Sequence, residues 1–216
     1  MRAPLIALAL ALSAPAARAC DTALVLAMDV SNSVDVGEYR IQADGLAAAL
    51  EDPEIADAMI AGQVAVTVVQ WSGADRQVIA LPWMQIFGPD DVTALAAAAR
   101  AMPRAFVLSD TAPGDAVRFA AAQFATGPVC AHNVIDVSGD GTPNAGVDIR
   151  LARSEAQAAG ITINGLAIES LGRAITNFYE RDVVTRDGFV VTARGHEDFA
   201  RAIRAKILAE LSKGLV

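Results

Sequence analysis

Asp29-Val30-Ser31-Asn32-Ser33 sets a carboxylate and two hydroxyls on alternating residues, directly after the apolar run Ala23 to Met28. Oxygens spaced this way on a tight turn can converge on one point, and hard cations prefer oxygen donors. Asp-x-Ser-x-Ser by itself is a weak signal, because the same side chains recur in turns by bonding to nearby backbone. Two more segments offer oxygens in comparable settings. Ser109-Asp110-Thr111-Ala112-Pro113-Gly114-Asp115-Ala116-Val117 puts Thr111 in a loop just ahead of a helical stretch. Val137-Ser138-Gly139-Asp140-Gly141 puts Asp140 just past another apolar run. Other chemistries find less support. The chain lacks an Asp-x-Asp nucleophile motif after the first strand and a GxxxxGK[ST] phosphate loop. Its two histidines, His132 near Cys130 and His196 at the head of the last helical stretch, are read as surface or capping residues. Neither is expected to reach Ser31 or Ser33 as a general base.

The elements that must position these residues alternate in period. Ala23–Met28, Val64–Val69, Val134–Val137 and Ile161–Ile168 are short, nearly continuous apolar runs bounded by Gly, Asn or Asp. Such runs fit strands buried on both faces of a parallel sheet. Between them lie helical patterns. Val36, Tyr39, Ala43, Leu46 and Leu50 mark the first, ending at Pro53, and Val117, Ala120 and Phe124 mark another, stopped by Gly127. Val147, Leu151 and Ala158 mark a third, and Phe199, Ile203, Ile207 and Leu211 stripe a final helix over Glu197–Lys213. Arg76–Leu81 follows the second strand after only Ser72-Gly73-Ala74, a connection that permits a hairpin and one antiparallel edge strand. The pattern predicts a doubly wound α/β fold with a mostly parallel sheet, one antiparallel edge strand and helices on both faces. In such sheets ligands bind beyond the carboxyl ends of the strands, where strand order reverses. Trp71, Trp83 and Phe87 flank the predicted edge and are read as core or edge-covering residues.

Cys20 lies nine residues before Asp29, and Cys130 ten before Asp140. If the two strands are parallel neighbours, both cysteines stand at the end of the sheet away from Asp29 and Asp140. Neighbouring strands are about 4.8 Å apart, within the Cα separation a disulfide spans. Two buried free thiols are the alternative. Met1 and Arg2, the apolar run Leu5–Leu12 and Ala17-Arg18-Ala19 read as a signal peptide over residues 1–19, with 20–216 as a single domain in the periplasm or outside the cell. Lipid attachment at Cys20 is disfavoured by Ala17 and Arg18 at the two places that would instruct it. Residues 20–216 carry 15 basic and 25 acidic side chains, with no basic cluster, which argues against nucleic acid or an anionic membrane as partner.

The order, spacing and setting of the three oxygen-bearing segments resemble the von Willebrand factor A domain with its metal-ion-dependent adhesion site, from about Cys20 to Leu211. The resemblance implies that Ser31 and Ser33 are direct ligands and that Asp29 acts mainly through water. Thr111 and Asp140 would be the pair whose direct or water-mediated contact varies with the state of the site. It implies Mg²⁺, with Mn²⁺ or Ca²⁺ as substitutes, and an open position completed by a carboxylate of a protein partner. One departure stands out: the usual hydroxyl-Asp-Gly run reads Ser138-Gly139-Asp140-Gly141, with a glycine intervening. Asp136, set among Val134, Ile135 and Val137, is read as a buried, hydrogen-bonded structural acid. Asn32, Asp110, Asp115, Thr142 and Asn144 ring the expected metal face without assigned roles. The stretch Ile135–Gly141 also resembles secreted proteobacterial proteins of this fold. Two functions follow: a metal-dependent protein-binding module for adhesion or scaffolding, or a metal-dependent hydrolase or phosphoryl-transfer enzyme using the cation as a Lewis acid. The lack of a well-placed general base favours the first, and complete occupancy of the five positions argues against a degenerate, purely structural site.

Overall fold

The computed structural model describes residues 20–213, and the expected signal segment lies outside them. The four apolar runs are strands: β1 (Thr22–Asp29), β2 (Ala65–Trp71), β4 (His132–Gly139) and β5 (Ile161–Ile168). The hairpin strand is β3 (Gln77–Gln85), and a short β6 (Val190–Ala193) closes the other edge. The sheet order is β3-β2-β1-β4-β5-β6, parallel except for β3, which runs antiparallel to β2. This is the doubly wound sheet expected from the apolar runs. From β1 the chain crosses first to β2 on one side and later to β4 on the other. The order therefore reverses between β1 and β4, so their carboxyl ends form the switch-point crevice.

Alternation along β1 assigns the two layers. Leu24, Leu26 and Met28 face one core, filled by residues of α1 (Val36–Leu50), α2 (Pro53–Ala61), α3 (Pro89–Ala101) and α7 (Phe199–Lys213). Val25 and Ala27 face the other, under α4 (Pro113–Gln123), α5 (Ile149–Ala158), α6 (Ala174–Phe178) and the π-helical turn Tyr179–Val183 that continues it. Local chemistry starts each helix near the site. Asp35 caps α1 in a reciprocal box, accepting from the Glu38 amide at 2.8 Å while Glu38 accepts from the Asp35 amide at 2.7 Å. Pro113 opens α4, where its missing N–H costs nothing.

Three sequence expectations change. Val36 and Leu151, taken as buried markers, point outward at 72% and 52% exposure. On α5 the buried stripe is Ile149, Ala152 and Ala156, so its true face is made of small residues. The last helix begins at Phe199 rather than Glu197, behind a 3-10 turn at His196–Asp198. The stripe Phe199, Ile203, Ile207 and Leu211 is buried as expected. Trp71 is fully buried, its indole N–H donating to the Ala27 carbonyl at 3.1 Å, and Trp83 packs on Phe124, whereas Phe87 is exposed.

Cys20 and Cys130 are joined in a disulfide with Cα atoms 4.7 Å apart. It lies at the amino ends of the paired strands β1 and β4, where Thr22 stands opposite His132.

Candidate metal centre

The carboxyl end of β1 turns back on itself because the Ser31 amide donates to Asp29 Oδ1 at 2.7 Å. That turn brings Ser31 Oγ within 3.2 Å of Ser33 Oγ, and the Ser33 hydroxyl donates to Asp140 Oδ1 at 2.6 Å. Asp29, Ser31, Ser33 and Asp140 thus form one continuous chain of contacts across the β1–β4 crevice. Arg104 pins the loop from behind, its Nη2 donating to the carbonyls of Val30 (3.0 Å) and Ser31 (2.9 Å). Asp29 and Ser31 are fully buried and Thr111 nearly so.

Thr111 stands on the opposite wall. It shares a cavity of about 550 Å³ with Ser33, Asn32, Arg76 and Leu108, and among the described residues its side chain makes no hydrogen bond to Asp29, Ser31, Ser33 or Asp140. Its loop is braced on three sides. The Asn32 amide donates to Ser109 O at 3.0 Å, Ser72 Oγ to Asp110 O at 3.0 Å, and the Thr111 amide to Asn144 Oδ1 at 2.8 Å. Asn144, left without a role by the sequence, is therefore the side chain that fixes the height of Thr111. A second cavity of about 500 Å³ opens on the other side of Ser33, bounded by Asp140, Glu38, Arg194 and His196.

His196 corrects the sequence reading. It is neither a surface nor a capping residue: its side chain is 10% exposed, with Nδ1 3.1 Å from Glu38 Oε1 and Nε2 4.0 Å from Asp140 Oδ2. It borders the site although it is 56 positions further along the chain than Asp140. The Ser33 hydroxyl donates to Asp140 and not to this imidazole, so the geometry is not that of a serine activated by histidine.

The intervening glycine also has a reason. A Cβ on Gly139 would lie 2.7 Å from Tyr179 Oη and 2.8 Å from Asp29 Oδ2, closer than real Cβ atoms approach. Both of those oxygens are buried and without a hydrogen-bond partner among the described residues. Burial pushes the Asp29 carboxyl up to about 7, aided by the nearby Asp140 charge and opposed by hydrogen bonds from Ser31 and by Arg104. Burial, and then the charges of Asp29, Asp140 and Asp136, push the Tyr179 hydroxyl well above its ordinary value, so it stays a donor.

The residues fit a hard divalent cation. Three hydroxyls and two carboxylates make an all-oxygen set. The unsatisfied, desolvated Asp29 Oδ2 is a buried half-charge that a cation or its bound water would compensate. Among the described residues no group of three or more His, Cys, Asp or Glu could hold a metal, so an ion here would rest on hydroxyls as much as on carboxylates.

The profile of the DUF1194 family, described as protein of unknown function, matches residues 19–215. The chain belongs to the DUF1194 family. No match to a curated protein was found. Among solved structures this DUF1194 chain is similar to proximal thread matrix protein 1 (PTMP1) from the mussel byssus with a zinc-occupied MIDAS motif. That match has 17% identity and a TM-score of 0.66, over 91% of this chain and 49% of that one. It is also similar to a von Willebrand factor type A protein from Catenulispora acidiphila, at 16% identity and TM-score 0.61 over 91% and 43%. The pilus adhesin SpaC from Lactobacillus rhamnosus GG, in its open conformation, matches at 14% identity and TM-score 0.65 over 91% and 30%. This member of DUF1194 therefore has the von Willebrand factor A fold, and it spans half or less of the length of these structures.

Proposed function

We propose that this protein is a metal-dependent protein-binding module, an adhesion or scaffold domain of the periplasm or cell exterior after removal of residues 1–19. A divalent cation, Mg²⁺ in the first instance with Mn²⁺ or Ca²⁺ as substitutes, would be held by Ser31 and Ser33 directly, with Asp29, Thr111 and Asp140 completing or tuning the shell. The observation that carries this reading is the convergence of the Ser31, Ser33 and Asp140 oxygens at the switch point, next to a buried Asp29 carboxylate oxygen without a hydrogen-bond partner among the described residues. When bound, the ion supplies an electrophilic centre for a partner's acidic side chain, and the chain's own residues orient it.

The surface around the site supports a protein as partner. Leu108, at 86% exposure, lines the cavity beside Ser33 and Thr111, and Arg76 adds a positive charge to its wall. Leu108 also holds φ at +53°, an uncommon conformation for a bulky residue. The matched mussel byssus and pilus adhesin structures are in keeping with an adhesive role. Among the described residues no helix is long and apolar enough to cross a membrane.

The test is a thermal melt of the protein with Mg²⁺ or Mn²⁺ titrated against EDTA, and the same titration on Asp140→Ala. A ligand at 100 times its dissociation constant stabilises by about 2.7 kcal/mol, roughly 5–10 °C for a chain of this size. A saturable shift, lost in the variant, is expected; no shift at millimolar metal would refute the metal site. Capture of a partner from envelope extract should then fail in EDTA, and equal recovery with and without EDTA would refute the bridging ion.

A further inference from the structure

Two buried polar atoms beside Gly139 form a second feature of the same site. Asp29 Oδ2 and Tyr179 Oη are each buried without a hydrogen-bond partner among the described residues. Both close on the same face of Gly139, at 2.8 Å and 2.7 Å from the position a Cβ would take, so no more than the sum of those distances separates them. That span suits one bridging water, or a direct bond after a small rotation, since O–H···O bonds are about 2.7–2.8 Å long.

The approach of Tyr179 is built into the sheet. Its ring lies across Gly165 of β5, where a Cβ would come 2.5 Å from Cδ1, and its hydroxyl reaches Gly139 at the end of β4. Val137 pairs with Gly165 and Gly139 with Ala167, so both glycines sit on the α4–α5 face of adjacent strands. Glycine inside a strand commonly marks a close approach of another group. Here two of them clear a track for one aromatic side chain, which starts a π-helical turn, a rare element often found at functional sites. An apolar ring of the same shape would pack as well, so packing does not account for a hydroxyl delivered, unpaired, beside a carboxylate.

We infer that Tyr179 is a positioning residue for the metal site: its hydroxyl holds Asp29 Oδ2, directly or through one water, so that the carboxylate is presented to the cation in a fixed orientation. The inference rests on the metal-binding reading above and adds a residue that the metal does not itself touch. Hydrogen-bonded partners of metal-site groups typically contribute ten- to hundredfold in affinity.

The experiment compares Tyr179→Phe with the wild-type protein. Mn²⁺ affinity is measured by isothermal titration calorimetry, and the environment of bound Mn²⁺ by electron paramagnetic resonance and water-proton relaxation. The variant keeps the ring, so its melting temperature in EDTA should match that of the wild type. Its Mn²⁺ affinity should fall by about ten- to hundredfold, with a changed Mn²⁺ spectrum. Equal affinity and identical spectra would overturn the inference while leaving the metal site intact. An unsatisfied hydroxyl of purely structural origin would show as a variant more stable in EDTA with unchanged affinity, which also overturns it. Absence of saturable Mn²⁺ binding by the wild-type protein would instead overturn the metal reading, and this inference with it. If Tyr179→Phe lowers the melting temperature in EDTA, Tyr179→4-fluorophenylalanine, which keeps the ring filled but donates no proton, decides by the same affinity measurement.

Discussion

Gly139 shows why part of the site could be read from the sequence and part could not. The candidate oxygen donors could be proposed because their spacing is local: Asp29, Ser31 and Ser33 share one turn, Thr111 sits just ahead of a recognisable helix and Asp140 just past a recognisable strand. Tyr179 and His196 carry no such mark. They arrive from 40 and 56 positions beyond Gly139 and Asp140, through connections whose geometry no short-range pattern specifies. Gly139 itself was visible only as a departure, and its cause needed the two oxygens that press on it. At this scale Gly139→Ala must displace Asp29 or Tyr179. Overfilling a packed site costs about 1–3 kcal/mol, and a lowered urea midpoint with unchanged slope is the expected result. An unchanged midpoint would show that the space beside Gly139 yields freely.

The helix α7 carries the largest surprise among the elements. Its apolar stripe was legible from four-residue spacing, but Lys206, a residue such a pattern assigns to solvent, is completely buried against the sheet. Its ammonium lies 2.5 Å from Asp136 Oδ1 on β4 and 2.6 Å from Glu210 Oε1. Asp136 is thus ion-paired in place of the hydrogen-bonded acid expected from sequence. Asn164 on β5 donates to Glu210 at 2.9 Å and accepts from the Phe189 amide at 3.1 Å, while the Phe189 ring covers Lys206 at 5.7 Å. Two carboxylates share one ammonium, and burial, with the Glu210 charge and against Lys206, pushes the Asp136 carboxyl up to about 7. A folded-state value above the unfolded one means the folded protein binds the extra proton. This contribution to stability is therefore complete below about pH 4 and is lost as pH rises through about 7. Asp136→Asn leaves a one-to-one Lys206–Glu210 pair. Its stability relative to wild type should climb between pH 4 and 7 and then level off, and a flat difference in urea midpoints would refute this. Lys206→Met strands both acids, and breaking a buried pair costs about 3–5 kcal/mol, a loss readable as a lower melting temperature at pH 8. The elements α2, α3, α6 and β6 escaped the sequence reading for simpler reasons: α6 has five residues and β6 four, and the alanine-rich α3 offers little contrast between its faces.

For the molecule as a whole, the edges and the disulfide matter most. The exposed edge strand β3 pairs irregularly with β2, its register shifting on either side of Val68, and the opposite edge β6 is short. Both features discourage pairing with another sheet. The Cys20–Cys130 bond closes a loop of 110 residues, and loops of about that length gain roughly 4.7 kcal/mol in the chain-entropy description. Reduction or Cys130→Ser should lower the melting temperature by roughly 10–20 °C, at about 2–4 °C per kcal/mol. A fall of only a degree or two would mean that the reduced, unfolded chain is already compact.

The same bond bears on how the domain would answer to force. If a partner pulled on the proposed ion, the load would enter at the carboxyl ends of β1 and β4, the two strands that Cys20 and Cys130 rivet together at their other ends. Tension entering at the crevice can part the two strands only as far as that covalent stop. The intervening 110 residues are withheld from extension, roughly 360–400 Å of slack at ~3.3–3.6 Å per residue. Stretched from its termini, the oxidised domain should lengthen by that much less than the reduced one, which makes the redox state of one bond a setting for how far this protein can give under load.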